Sequence, residues 1–177
     1  MNAMDLGKEE IVDLLQRCWM THDGMWFFHC VREFGIEKAN RINKAAIKSL
    51  APMEIARIRE TLKFGKEKPE SFQQLKDFVT AAARLFIPPF MNISITFPEE
   101  NVMQWEFAPE NCFAYKGIKR IGAIEQYECG VIHRLACWFD SLGVAWRVAP
   151  DIKGCLMLKD GNCSGRFRFE FKKTEAI

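Results

Sequence analysis

The chain has 177 residues, 49% of them apolar and 27% charged, with 15 Phe and 5 Trp. That is enough for one self-sufficient, ring-rich core and too apolar for a disordered chain. Its 25 Lys and Arg stand against 23 Asp and Glu, a net charge of +2, and so even a balance creates no field to gather nucleic acid or anionic lipid. The opening Met1-Asn2-Ala3-Met4-Asp5 lacks the basic and apolar regions of a signal peptide, and no window reaches the roughly 18 apolar residues of a membrane span. Seven irregularly spaced Cys suit reduced thiols better than a secreted disulfide scaffold. The expectation is one cytoplasmic domain with neither a nucleic-acid nor a membrane partner.

In chain order, Ile11, Leu14, Leu15, Cys18 and Trp19 repeat at helical spacing, and a second helical stretch runs from Asp23 to Glu33 before Gly35 stops it. Gly24, costly inside a helix, predicts a break or a close backbone approach. Ile36, Ala39, Ile42, Ala46, Ile47 and Leu50 mark another helix; Pro52 then opens a further one carrying Ile55, Ile58 and Leu62, with Gly65 as its cap. The charges from Arg57 to Glu70 alternate in sign and read as a solvated helix face. Pro69-Glu70-Ser71 starts a helix whose stripe is Phe72, Leu75, Phe78, Val79, Ala82, Leu85 and Phe86, ended by Pro88-Pro89.

The period then changes to two. Met91, Ile93, Ile95 and Phe97, and after them Met103, Trp105 and Phe107, alternate with polar residues, and Pro98-Glu99-Glu100-Asn101 links the two runs as an antiparallel hairpin. Pro109 to Gln126 shows no clear period. Tyr127 to Leu142 returns to helical spacing and closes on Gly143, and Val144, Trp146 and Val148 read as a strand. Cys155 to Lys159 and the Phe167, Phe169, Phe171 alternation flank Asp160-Gly161-Asn162, which predicts a second hairpin. The fold class is α+β: a helical half, residues 1–88, packed on a four- or five-stranded antiparallel sheet that shares residues 89–177 with one further helix.

Two stretches carry a family likeness. His22-Asp23-Gly24-Met25-Trp26-Phe27, followed by Glu33-Phe34-Gly35-Ile36-Glu37-Lys38-Ala39-Asn40, resembles the amino-terminal signature of uncharacterised prokaryotic cytosolic proteins near the L-2-amino-thiazoline-4-carboxylic acid hydrolase-like family. Cys112, Cys129-Gly130, Gly154-Cys155 and Gly161-Asn162-Cys163 before Phe167-Arg168-Phe169 are similar to that group and to the 4-vinyl reductase domain. The resemblance implies a small α+β fold around an apolar pocket that takes small, largely apolar molecules. It also implies a Cys before the last strand, a place that Cys155 or Cys163 could fill.

The residues themselves offer four constellations. Cys129 and His133 lie four apart on a predicted helix, close enough to share a metal, and a thiolate with an imidazole suits zinc or iron; a buried thiol beside an imidazole is the plainer reading. Cys112, in the irregular segment, could be a nucleophile with His133 as its base, or a small buried thiol packing as a hydrophobe. His22, Trp26 and His29, beside Asp23 and Cys30, share one helical face that could line a pocket mouth or simply pack. Cys155 and Cys163 across the predicted hairpin could ligate a metal, form a redox pair or fill the core. Gly-rich phosphate loops, the Gly-x-Ser-x-Gly elbow and the His-Glu-x-x-His motif are absent from the sequence.

The functional expectation is a domain holding a small-molecule ligand in an aromatic-lined pocket between the sheet and the Tyr127–Leu142 helix. Trp26, Trp105, Phe113, Tyr127 and Trp146 would supply the rings, and His22, Asp23 and His29 the polar groups. The alternative is a hydrolase of a small ring or amidine-like substrate that uses Cys112, or a metal on Cys129 and His133. A third class, an interaction protein, would have a closed core, and a second copy of the chain is a candidate partner. The two helices that hold the three His are expected to face a shared cavity that Cys112 enters.

Overall fold

The computed structural model describes residues 6–171. Helix α1 (Lys8–Phe34) runs unbroken through Gly24, around whose absent side chain lies open space, and ends at Gly35, φ 79°. The expected break is therefore corrected: a single exposed glycine costs about 1 kcal/mol, and packing of Phe27 edge-on against Tyr127, centroids 5.7 Å apart, holds the helix beyond it. Helix α2 (Ile36–Thr61) likewise carries Pro52 in its interior instead of starting anew there. Pro52 removes one N–H from the ladder, but fully buried Ala51 with Ile55 and Ile58 keeps both halves on one axis against the core. The exit falls at Leu62, ahead of Gly65, because Lys63 takes a left-handed turn, φ 51°.

Helix α3 (Phe72–Phe86) starts and ends where the sequence places it. The Ser71 hydroxyl accepts from the Gln74 N–H at 3.3 Å, and Leu75, Phe78, Val79 and Ala82 form the buried stripe. Strands β1 (Ile93–Glu99) and β2 (Val102–Phe107) make the first hairpin, with a turn tighter than the expected link because β1 continues through Pro98 past a register shift. After β2 come α4 (Phe113–Arg120), α5 (Gly130–Ser141), β3 (Trp146–Ala149), α6 (Leu156–Asp160) and β4 (Cys163–Phe169).

Three expectations change here. The aperiodic Pro109–Gln126 stretch holds α4, so α4 to α6 replace the one further helix. Helix α5 begins at Gly130, which leaves Tyr127 outside it. Asp160-Gly161-Asn162 is no hairpin turn: Cys155 to Lys159 is the start and body of α6, and Gly161, φ 73°, caps it. A glycine with positive φ serves a helix cap and a type I′ turn equally well, so the sequence signal was ambiguous.

The sheet has four strands in the order β1-β2-β4-β3, all antiparallel. Met103, Trp105, Phe107, Cys163, Phe167 and Phe169 point to one buried face, while Gln104, Glu106, Arg166 and Arg168 stand on the open one. Phe139 of α5 meets Phe167 and Phe169 with centroids 4.9 Å from each, and Phe72 of α3 packs on Phe97. Over α5 lies α2, whose buried Glu54 accepts from the Arg134 guanidinium and, at 2.8 Å, from the Trp138 indole N–H. No helix among the described residues is long and apolar enough to cross a membrane.

Candidate functional site

Three cysteines occupy the residue just before a helix: Cys112 before α4, Cys129 before α5 and Cys155 before α6. The fourth, Cys163, opens β4 opposite Phe107. Neither Cys112 nor Cys129 caps its helix with a side-chain hydrogen bond, although the first-turn amides of Ala114 and Tyr115 and of Val131 and Ile132 are near enough to favour a thiolate at each. Amides of a helix first turn have no intrahelical partner and favour an anion.

Contacts far apart in sequence gather these elements. The Glu110 N–H donates to Met157 Sδ at 3.3 Å, which ties the segment before Cys112 to α6. A side chain on Gly154 would meet the Tyr127 carbonyl at 3.7 Å, so the approaches to Cys155 and Cys129 run side by side. Buried Asn40 of α2 donates to the Gln126 carbonyl at 2.7 Å and accepts from the Glu128 N–H at 3.2 Å, clamping the strap that leads into Cys129. Gly130 lets α5 start hard against α2: a side chain there would come within 2.8 Å of Asn43 Nδ2. The Tyr127 hydroxyl, buried, accepts from the Gly130 N–H at 3.0 Å.

The electrostatics agree with this convergence. Burial pushes the Cys129 thiol up to about 11, with Cys112 and Cys155 adding to the rise. Burial pushes Cys163 up to about 12, with repulsion from Cys129, Cys112 and Cys155. Cys112 is raised by burial and by Cys155, and Tyr127 by burial, then Cys129, Cys112 and Cys155. Like charges disturb one another only at short range, so the four thiols and Tyr127 share one neighbourhood of the fold. The Trp105 indole N–H, fully buried and without a hydrogen-bond partner, stands beside Cys163 and favours its thiolate. Among the described residues no group of three or more His, Cys, Asp or Glu side chains is placed to hold a metal ion.

Residues singled out by spacing fare differently. Cys112 and Cys129 belong to the thiol group, but His133 does not pair with either: its Nε2 lies 3.5 Å from Cys137 Sγ, and it faces the Lys44 backbone on α2. Burial holds the His133 imidazole below its ordinary range, while none of the groups acting on Cys112 is an imidazole. Burial thus disfavours the Cys112 thiolate, and no imidazole offsets it. His22, Asp23, Trp26 and His29 lie exposed on α1, Trp26 edge-on to His22 at 6.4 Å, so the histidines share no cavity. Trp105 is core, Trp146 binds Asp140 at 2.8 Å, and Phe113 is half-buried on α4.

Between the sheet and α5, Phe139 packs against Phe167 and Phe169. Two shallow depressions lie on the surface. One, of about 440 Å³, lies by Arg59 and Phe64. The other, of about 620 Å³, is lined by Glu110, Asn111, Tyr115, Lys116, Lys119 and Arg120 and flanks Cys112. Sequence reading missed Asn40 and the union of the four thiols. The available signal was weak: three cysteines each lead directly into a helix, two of them beside a glycine. A family model described as a family of unknown function (DUF6125) matches residues 4–129, a span that includes Cys112 and Cys129. No curated protein matches the chain.

Proposed function

The chain belongs to the DUF6125 family, and we propose that it is a binding domain whose ligand is a thiophilic divalent metal ion, zinc or iron, on which the Cys112, Cys129, Cys155 and Cys163 side chains would close. The observation that carries this reading is the fully buried, unpartnered Trp105 indole N–H beside Cys163. A neutral thiol is a weak acceptor and leaves such a donor poorly rewarded, whereas a metal-bound thiolate accepts it well. Four sulfurs with no nitrogen or oxygen ligand suit tetrahedral zinc or iron. Binding would displace the thiol protons and leave a negative centre near Lys116, Lys119 and Arg120 of α4.

The test is metal analysis of protein purified without chelator, followed by cobalt(II) titration of the metal-free form. One equivalent of metal and a sulfur-to-cobalt charge-transfer band, weakened by Cys112→Ser or Cys163→Ser and untouched by Cys18→Ser, are expected. A chain that takes up neither ion under reducing conditions refutes the reading.

A second reading keeps the metal and makes it catalytic, favoured by the depression beside Cys112 with its cationic rim. A small anionic ring, the substrate class implied by the resemblance to amino-thiazoline carboxylate hydrolases, would sit there, and one thiolate would yield its place to water. Turnover of such a ring by the zinc-loaded protein, lost in Lys116→Ala, separates this reading from a purely structural site.

A further inference from the structure

Of the 27 residues of α1, Phe27 alone is buried. The rest of a helix this long is expected to be polar on its outer side, yet Ile11, Val12, Leu14, Leu15, Trp19, Met25 and Trp26 are between 40% and 63% exposed. Ile11, Leu15, Cys18, His22, Met25 and His29 recur alternately four and three residues apart, all exposed. That is the 3.5-residue period of a helix-pairing seam. At about 100° per residue the seam lies roughly 150° around the helix from Phe27. Helix α1 therefore has two apolar faces, one against its own domain and one that none of the described residues covers.

We infer that this second face pairs antiparallel with α1 of a second copy of the chain. Three observations choose that occupant. The exposed apolar side chains of the seam and its flanks offer roughly 800 Å² per partner, the amount a standard stable interface uses and more than a monomer ordinarily leaves exposed. The seam spans about 28 Å without a Pro, long enough for a two-helix contact. Of the charges in its end turns, Lys8 and Glu33 flank the seam, about 60° and 40° around the helix from it; antiparallel pairing sets each beside its opposite on the other copy and opposes the helix dipoles, whereas parallel pairing sets like ends together.

The measurement is light scattering coupled to gel filtration of the full chain across micromolar concentrations, together with Leu15→Glu and Trp26→Glu. Both positions are exposed, so far-UV circular dichroism is expected to stay unchanged while each variant becomes monomeric. Reversing Lys8 to Glu weakens the dimer by roughly five-fold, and adding Glu33→Lys restores it. A native chain that is monomeric throughout, or a dimer indifferent to Leu15→Glu and Trp26→Glu, overturns the inference. A monomer that pellets with phosphatidylglycerol vesicles through the same residues assigns the face to a lipid surface and overturns it too. A dimer indifferent to the charge reversals overturns the antiparallel arrangement.

Discussion

The Trp105 indole fills the space in which a side chain of residue 165 would stand. The two residues are register partners on β2 and β4, and a Cβ on Gly165 would fall 2.3 Å from the ring and 2.7 Å from the Ala149 carbonyl oxygen. Glycine here lets the indole lie across β4 with its N–H beside Cys163, two residues along. Gly165→Ala is expected to lower stability by at least the roughly 1–3 kcal/mol of ordinary overpacking and to shift tryptophan emission. Urea unfolding checks both, and an unchanged midpoint would mean that the sheet yields freely.

Glu54 is 3% exposed and binds Arg134 and Trp138 together. Glu54→Ala leaves a half-buried guanidinium and an indole N–H without their acceptor, at a cost of about 3 kcal/mol. Glu54→Gln keeps one acceptor oxygen and is expected to cost less. Equal losses in the two variants, measured by thermal unfolding, would show that shape and not hydrogen bonding is what α2 and α5 require.

Burial lowers the His133 pKa from its ordinary value of 6.5, so the unfolded chain binds that proton more readily than the folded one. The stability tied to neutral His133 is full above pH 6.5 and is lost as pH falls below it toward the depressed folded value. His133→Gln is expected to flatten the melting temperature against pH in that acid window. A slope identical in the variant would assign it to carboxylates instead.

The thiols work at the other end of the scale. In the metal-free chain the pKa values of Cys129 and Cys163 rise from 9.0 to about 11 and about 12, so their contribution to stability is full below pH 9 and disappears as pH climbs through those values. Zinc reverses the sign between pH 6 and 8, because binding releases thiol protons and tightens as pH rises. Melting curves with zinc and with chelator are expected to diverge upward across that range, and parallel curves would count against thiolate ligation. Alkylation of the Leu15→Glu variant at neutral pH adds a residue-level check: with the helices unpaired, exposed Cys18 is expected to react well before buried Cys112 and Cys163.

The α+β class, the boundaries of α3, the first hairpin and the Gly143 cap, φ 66°, follow from period and punctuation alone, since each depends on neighbours within a few residues. Gly24, Pro52 and Gly161 misled for the same reason. A local breaker predicts a break only where nothing distant outweighs about 1–3 kcal/mol of propensity, and Phe27 on Tyr127 and the buried Ala51–Ile58 stripe do so in α1 and α2. Spacing paired Cys129 with His133, because four residues on a helix is a proximity a sequence displays. What brings the segments of Cys112, Cys129, Cys155 and Cys163 into one neighbourhood is the insertion of β4 beside β2, the Asn40 clamp and the Glu110–Met157 contact. Those contacts join residues as many as 88 positions apart, and no local pattern in the chain records them.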